Sequence, residues 1–281
     1  MSDSAVRVRE LRKKYGDVTA VDGIDLEIAR GEVFALLGPN GAGKTTTVEI
    51  LEGHRRRDGG EVSVLGEDPG RAGRVWRSKL GIVLQSATDA AEFTVRETVN
   101  HFASYFPRPR DPESVIELVG LSAKADARVR SLSGGQRRRV DVALGVVGSP
   151  ELLFLDEPTT GFDPEARRQF WSLISLLADE GTTIVLTTHY LDEAEALASR
   201  VGVIAGGRVV AVGEPATLAG RAEAEATVSW STPGGERRVK TPAPTRVVAE
   251  LMAQFDGEIP DLTVTRPTLE DTYLGLIGEQ S

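Results

Sequence analysis

At 281 residues and a net charge of −9, the chain has room for one large domain and a small one, and its charge argues against a general polyanion binder. It has no cysteine, which excludes disulfides and thiolate metal sites and suits a reducing compartment. No apolar run approaches the roughly 20 residues that span a bilayer, and Met1 to Arg7 lack the apolar core of a secretion signal. We therefore expect a cytoplasmic protein, with any membrane channel supplied by a separate polypeptide.

Residues 5–85 open with β-patterned stretches, in which Ile24, Leu26 and Ile28 alternate with Asp25, Glu27 and Ala29. Val33-Phe34-Ala35-Leu36-Leu37 is apolar enough for a buried parallel strand, and a glycine-rich loop follows it. That loop, Gly38-Pro39-Asn40-Gly41-Ala42-Gly43-Lys44-Thr45-Thr46, matches the phosphate-binding pattern G-x-x-x-x-G-K-[ST]. Its glycines keep side chains away, so backbone N–H groups can surround a polyphosphate, and the following helix adds the partial positive charge of its N-terminus. Lys44 supplies a mobile cation for the β- and γ-phosphates, and the Thr45 hydroxyl can ligate Mg²⁺. The strand–loop–helix order points to a nucleoside triphosphate.

Leu80-Gly81-Ile82-Val83-Leu84-Gln85 reads as another strand, and residues 86–150 shift towards helix. Thr94-Val95-Arg96-Glu97 is a capping box, with Val95, Val99 and Phe102 on one face of the helix it starts. Leu132-Ser133-Gly134-Gly135-Gln136 begins a second helix: Ser133 is a good N-cap, the glycines allow close backbone approach, and Val140, Val142, Ala143 and Leu144 form its apolar side. Leu152-Leu153-Phe154-Leu155 is a buried strand that delivers Asp156 and Glu157 at its carboxyl end, where open α/β sheets bind ligands. Asp156 can support the Mg²⁺ shell through water, and Glu157 can orient or deprotonate an attacking water. Asp163-Pro164 opens a further helix in the preferred cap-then-proline order, and residues 151–205 alternate strand and helix. A parallel sheet with helices on both faces is the natural architecture. The basic triplets Arg12-Lys13-Lys14, Arg55-Arg56-Arg57 and Arg137-Arg138-Arg139 lack interleaved aromatics and read as solvated surface cations.

Placed between the glycine loop and Leu152-Leu153-Phe154-Leu155-Asp156-Glu157-Pro158, the sequence LSGGQ resembles the signature of the ATP-binding-cassette (ABC) ATPases. Other landmarks follow in the family's order over about residues 5–220. Tyr15 looks like the aromatic on which adenine stacks, and Gln85 like the glutamine that reaches the metal and the attacking water. Thr160-Gly161-Phe162-Asp163 looks like the loop that couples opposing subunits, with Phe162 where the family usually has leucine. His189 looks like the switch histidine. The resemblance implies an α/β P-loop NTPase of the ABC ATPase fold, with a RecA-like core, an antiparallel β-subdomain and a helical subdomain at about 86–150 that contacts the membrane partner. It implies ATP and Mg²⁺ as ligands, with Glu157, His189 and Gln85 catalytic and Thr45, Gln85 and Asp156 around the metal. Gly38 to Thr46 would hold the phosphates. It also implies a head-to-tail homodimer, formed on ATP, in which Ser133, Gly134, Gly135 and Gln136 of one copy, with Asp163, close over the nucleotide of the other. Two helix N-termini would then face one polyphosphate, and hydrolysis would release the dimer.

Residues 206–220 read as a closing hairpin and a linker, and residues 221–281 as a small α+β domain. In that tail, Val228-Ser229-Trp230 and Arg237-Arg238-Val239 flank Pro233-Gly234-Gly235 as a hairpin. Val247, Val248, Leu251, Met252 and Phe255 share a helix face, Leu262 and Val264 mark a strand, and Thr268 to Asp271 start a last helix. The segments from Thr187 to Glu195 and from Pro267 to Leu274 resemble the daunorubicin-resistance type of bacterial exporter ATPase. That subgroup works with a separate permease on the inner face of the membrane and commonly serves drug or antibiotic export. No specific nucleic acid is expected as a partner. The alternatives are export of lipid, polysaccharide or ion, and a non-transport ABC ATPase acting on ribosomes or nucleic acid.

Overall fold

The computed structural model describes residues 4–83, 92–255 and 257–278. The chain divides into two compact units, Met1–Val210 and Ala211–Ser281, and the division precedes the Gly220 boundary read from the sequence.

The first unit starts with β1 (Ser4–Tyr15), β2 (Val18–Ala29), β3 (Val33–Leu37) and α1 (Lys44–Leu51), followed by β4 (Gly59–Val64), the single turn α2 (Arg74–Arg77) and β5 (Leu80–Val83). β2, β1 and β4 form an antiparallel sheet in that order. Alternation puts Val6, Val8, Ile24, Leu26 and Ile28 inside, and Trp76 closes the cluster with its indole N–H on the Val64 carbonyl at 2.8 Å.

Next come the helices α3 (Val95–Ala103), α4 (Pro112–Leu118) and α5 (Gly134–Val146). The capping box at Thr94 forms in both directions, Glu97 N–H to Thr94 Oγ1 and Thr94 N–H to the Glu97 carboxylate. The buried face of α3 is Val95, Thr98, Val99 and Ala103. Phe102, expected on that face, is only half buried and packs edge-on against His101 and Tyr105.

The unit continues with β6 (Leu152–Asp156), α6 (Pro164–Asp179), β7 (Thr183–Thr187), α7 (Leu191–Leu197), β8 (Arg200–Ala205) and the first half of β9 (Arg208–Gly213), within which the division falls. Six strands make the central sheet in the order β5-β6-β7-β3-β8-β9. The pairs β5–β6, β6–β7, β3–β7 and β3–β8 are parallel, which explains why β3 and β7 are apolar or threonine throughout and fully buried. The register fixes the functional edge. Thr187 pairs with Leu36 on one side and with Asp156 on the other, so the glycine loop and the acidic pair leave one edge of the sheet a single strand apart.

The second unit holds β10 (Ala226–Thr232), β11 (Gly235–Thr241), α8 (Pro244–Met252), β12 (Thr263–Thr265) and α9 (Leu269–Gly278). Its antiparallel sheet has the order β11-β10-β12, and its core is Val228, Leu251 and Ile259 with Trp230, Val247, Val248, Phe255 and Leu262 against them. Met252, expected on the apolar face of α8, is 64% exposed, because Leu251 takes the core direction and the next residue turns about 100° away. Phe255 lies past the end of α8 and still reaches the core. Thr268 caps α9 reciprocally with Asp271.

Candidate active site

The glycine loop is shaped by close backbone approach. A Cβ on Gly43 would lie 2.3 Å from the Ala20 carbonyl oxygen, and one on Gly38 would lie 2.3 Å from that of Ile204. Gly43 also holds φ +104°, which L side chains rarely adopt. Lys44 opens α1 and is 7% exposed; its ammonium donates back to the loop carbonyls of Gly38 at 2.6 Å and Pro39 at 3.1 Å. Burial pulls its pKa down, while the nearby Glu157 and Asp156 carboxylates push it up. Thr47, just beyond the loop, returns its hydroxyl to the Gly43 carbonyl at 2.8 Å, and Thr45 is exposed at the loop's rim.

Asp156 ends β6, and its carboxylate accepts a hydrogen bond from the Thr187 hydroxyl. Glu157 follows with φ +43°, a left-handed conformation uncommon for a glutamate. Its N–H donates to the Thr187 carbonyl at 3.0 Å and contacts the Thr187 hydroxyl at 3.2 Å. Its side chain, mostly buried, faces His189 Nδ1 at 3.3 Å and accepts from the Thr160 hydroxyl at 3.4 Å. The structure thus brings together Lys44, Asp156, Glu157, Thr160 and His189 from three segments: the start of α1, the end of β6 with the loop after it, and the loop after β7. The arrangement can hold a polyphosphate and present a carboxylate to a water molecule.

Ser133 caps α5 through a box with Gln136, Gln136 N–H to Ser133 Oγ at 3.3 Å and Ser133 N–H to Gln136 Oε1 at 3.1 Å. Asp163 caps α6, accepting from Glu165 N–H at 3.0 Å and Ala166 N–H at 2.8 Å. The two capped starts, with Gly134, Gly135, Gly161 and Phe162, line one open cleft of about 370 Å³. Phe162 rests edge-on against buried Phe170 at 5.7 Å, so the departure from leucine is absorbed by the core.

Tyr15, at the end of β1, is partly exposed, with the Arg55 guanidinium 5.2 Å and the Lys13 ammonium 5.4 Å from its ring centre. Gln85 lies outside the described residues. The basic triplets are not uniformly solvated. Lys13 pairs with Asp58, Arg55 with Glu49 and Arg57 with Asp68, while Arg138 is 7% exposed and donates to the Asp156 carbonyl at 2.8 Å and the Pro158 carbonyl at 3.2 Å. Reading Arg137-Arg138-Arg139 as surface cations missed this. The available signal was helical spacing, which puts Arg138 one turn before the apolar Val142.

Mg²⁺ is implied by the fold, and the donor chemistry fits it. Asp156 and Thr45 offer hard oxygens, and no group of three His, Cys, Asp or Glu among the described residues could hold a metal alone. A Mg²⁺ ion typically leans on one or two protein oxygens plus substrate phosphates, which is the pattern offered here.

Comparison with known proteins agrees with this geometry. The ABC transporter family model matches residues 21–160. Daunorubicin resistance ATP-binding protein DrrA3 of Streptomyces coeruleorubidus is 36% identical over 309 aligned positions, covering 99% of this chain and 98% of that protein. Nod factor export ATP-binding protein I of Paraburkholderia xenovorans (strain LB400) is 44% identical over 224, covering 78% of this chain and 73% of that one. Among solved structures, cbiO1 from Clostridium perfringens, part of the ABC transporter complex cbiONQ, matches with a TM-score of 0.69 and 32% identity, covering 76% of this chain and 90% of that one. Similarity this high along nearly the whole length leaves one assignment: the chain belongs to the ABC transporter family, as one of its ATP-hydrolysing nucleotide-binding subunits.

Proposed function

We propose that this chain is the motor subunit of a bacterial exporter, drawing on ATP to drive cargo through a separate permease. The observation that carries the reading is the full-length likeness, small C-terminal unit included, to a drug-resistance subunit. Drug or antibiotic-like molecules are accordingly the first cargo class to test. Among the described residues no helix is long and apolar enough to cross a membrane, so the work reaches the bilayer through the partner, at its inner face.

In this reading Lys44 and the amides of Gly38 to Thr46 hold the phosphates, Tyr15 stacks the adenine, and Asp156, Thr45 and Gln85 hold Mg²⁺. When bound, the metal neutralises charge on the β- and γ-phosphates. Glu157 takes the proton of the attacking water, and His189, 3.3 Å from it, senses the γ-phosphate. The loop covers only one side of a nucleotide. The open cleft at Ser133, Gly134, Gly135, Gln136 and Asp163 is the matching surface, and it serves the ATP of a second copy docked head to tail. Hydrolysis then removes the contacts that keep the two copies closed.

Affinity purification of the tagged chain from native membranes tests the transport reading. A multi-span membrane protein in stoichiometric amount, with ATP-dependent uptake into inverted vesicles, is the expected result. Recovery with ribosomes or nucleic acid instead, lost steeply as salt rises, would replace export with the non-transport alternative.

A further inference from the structure

We propose that Arg138 is a positioning residue for Glu157, through which the helix that reads one nucleotide holds the water-activating carboxylate of its own chain. The inference rests on the reading of Glu157 as the general base. Arg138 sits in the second turn of α5, which starts at Ser133. Its buried guanidinium reaches the carboxyl end of β6 and donates from Nη2 to the Asp156 carbonyl at 2.8 Å and from Nε to the Pro158 carbonyl at 3.2 Å. Those two carbonyls bracket Glu157, whose φ of +43° persists only where the surroundings hold it. Thr187, at the end of β7, takes the Glu157 N–H. The backbone at Glu157 is therefore held by two elements, β7 through the Glu157 N–H and α5 through the carbonyls of the residues before and after it.

The chemistry suits arginine. Its planar fork carries several N–H donors in fixed geometry, so one side chain can span two carbonyls that a lysine ammonium would meet only as a point charge. Asp141, one turn further along α5, lies 3.9 Å from Arg138 Nη1 and balances the charge. Arg138, Asp141, Glu157, Gly134 and Thr160 line one cleft of about 320 Å³, so the grip adjoins the signature residues. Arg138 acts through Glu157 and touches no reacting atom.

Four purified proteins test this: Arg138→Met, Arg138→Lys, Glu157→Gln and the double variant Arg138→Met with Glu157→Gln. A carboxylate displaced by about 1 Å lowers turnover on the order of a hundredfold. Arg138→Met should therefore lose ten- to a hundredfold in kcat, with KM for ATP and the Kd for ADP within about twofold. Arg138→Lys should recover only part of the loss. In the Glu157→Gln background the same Arg138→Met change should leave the residual rate untouched, because a carboxylate no longer present cannot be misplaced. Parental kcat in Arg138→Met overturns the proposal, and so do equal losses in both backgrounds or a parallel loss of ADP binding, which mark a role in folding alone. If Arg138→Met is not recovered folded, Arg138→Lys decides by the same kcat-against-KM split, and an unchanged kcat overturns the proposal. Parental turnover in Glu157→Gln itself would instead remove the general-base reading and this inference with it.

Discussion

Replacing Lys44 with alanine separates what the glycine loop does alone from what its cation adds. The ammonium already has partners, the carbonyls of Gly38 and Pro39, so ATP must win it from them. A unit charge about 4 Å from a phosphate charge is worth on the order of 4 kcal/mol at an effective dielectric constant of about 20. Surrendering two hydrogen bonds takes back about 1 kcal/mol each. The net is about 2 kcal/mol, and at about 1.4 kcal/mol per tenfold the affinity for MgATP should drop ten- to a hundredfold. Fold stability should move little, because the desolvation of a buried ammonium is relieved while two carbonyls lose a donor. Isothermal calorimetry with MgATP on the parent and Lys44→Ala, beside their melting curves, reads both quantities. An affinity within about threefold of the parent, in a variant that melts normally, would refute the phosphate-loop assignment of Lys44.

Glu157→Gln should keep ATP affinity and lose about 10²–10⁴-fold in turnover, since the amide matches the carboxylate in shape without its basicity. That variant should also collect as a dimer in ATP and Mg²⁺ by light scattering, and adding Ser133→Arg should return it to monomer; a Glu157→Gln protein that stays monomeric with ATP bound would show that closure needs the permease. Gly43→Ala forces a Cβ to 2.3 Å from the Ala20 oxygen at φ +104°, which should cost about 2–4 kcal/mol and on the order of 5–15 °C in Tm, whereas Gly134→Ala, with nothing within 4 Å, should melt like the parent. Equal melting of the two alanine variants would contradict the close approach. Burial, helped by Asp156 and Glu49, raises the Glu52 pKa from 4.5 to about 8. The unfolded state therefore loses the proton first as pH rises: the group's contribution is intact below about pH 4.5, declines from there, and is gone above about pH 8. Glu52→Gln should flatten that decline, so its stability relative to the parent rises between about pH 5 and pH 8 by up to a few kcal/mol, and its Tm with it; a difference constant across that range would contradict the raised pKa.

What the sequence determined by itself was local. Val33 to Leu37 announces a two-face-buried strand by being apolar at every position, and the loop after it is specified by glycines whose spacing only a backbone cradle requires. Thr94, Ser133 and Asp163 announce helix starts because their partners lie two or three residues away, within reach whatever the rest of the chain does. The tertiary structure decided everything that depends on which elements share a boundary. Asp156 and the glycine loop meet because β7 inserts between β6 and β3, a strand order that no residue spacing encodes. Arg138 is buried against β6 although its two neighbours in sequence are arginines, and Met252 is exposed although its helix is amphipathic. Capping and periodicity are short-range interactions written along the chain. Burial of a charge or exposure of a methionine is set by what packs opposite, which exists only once the chain has folded.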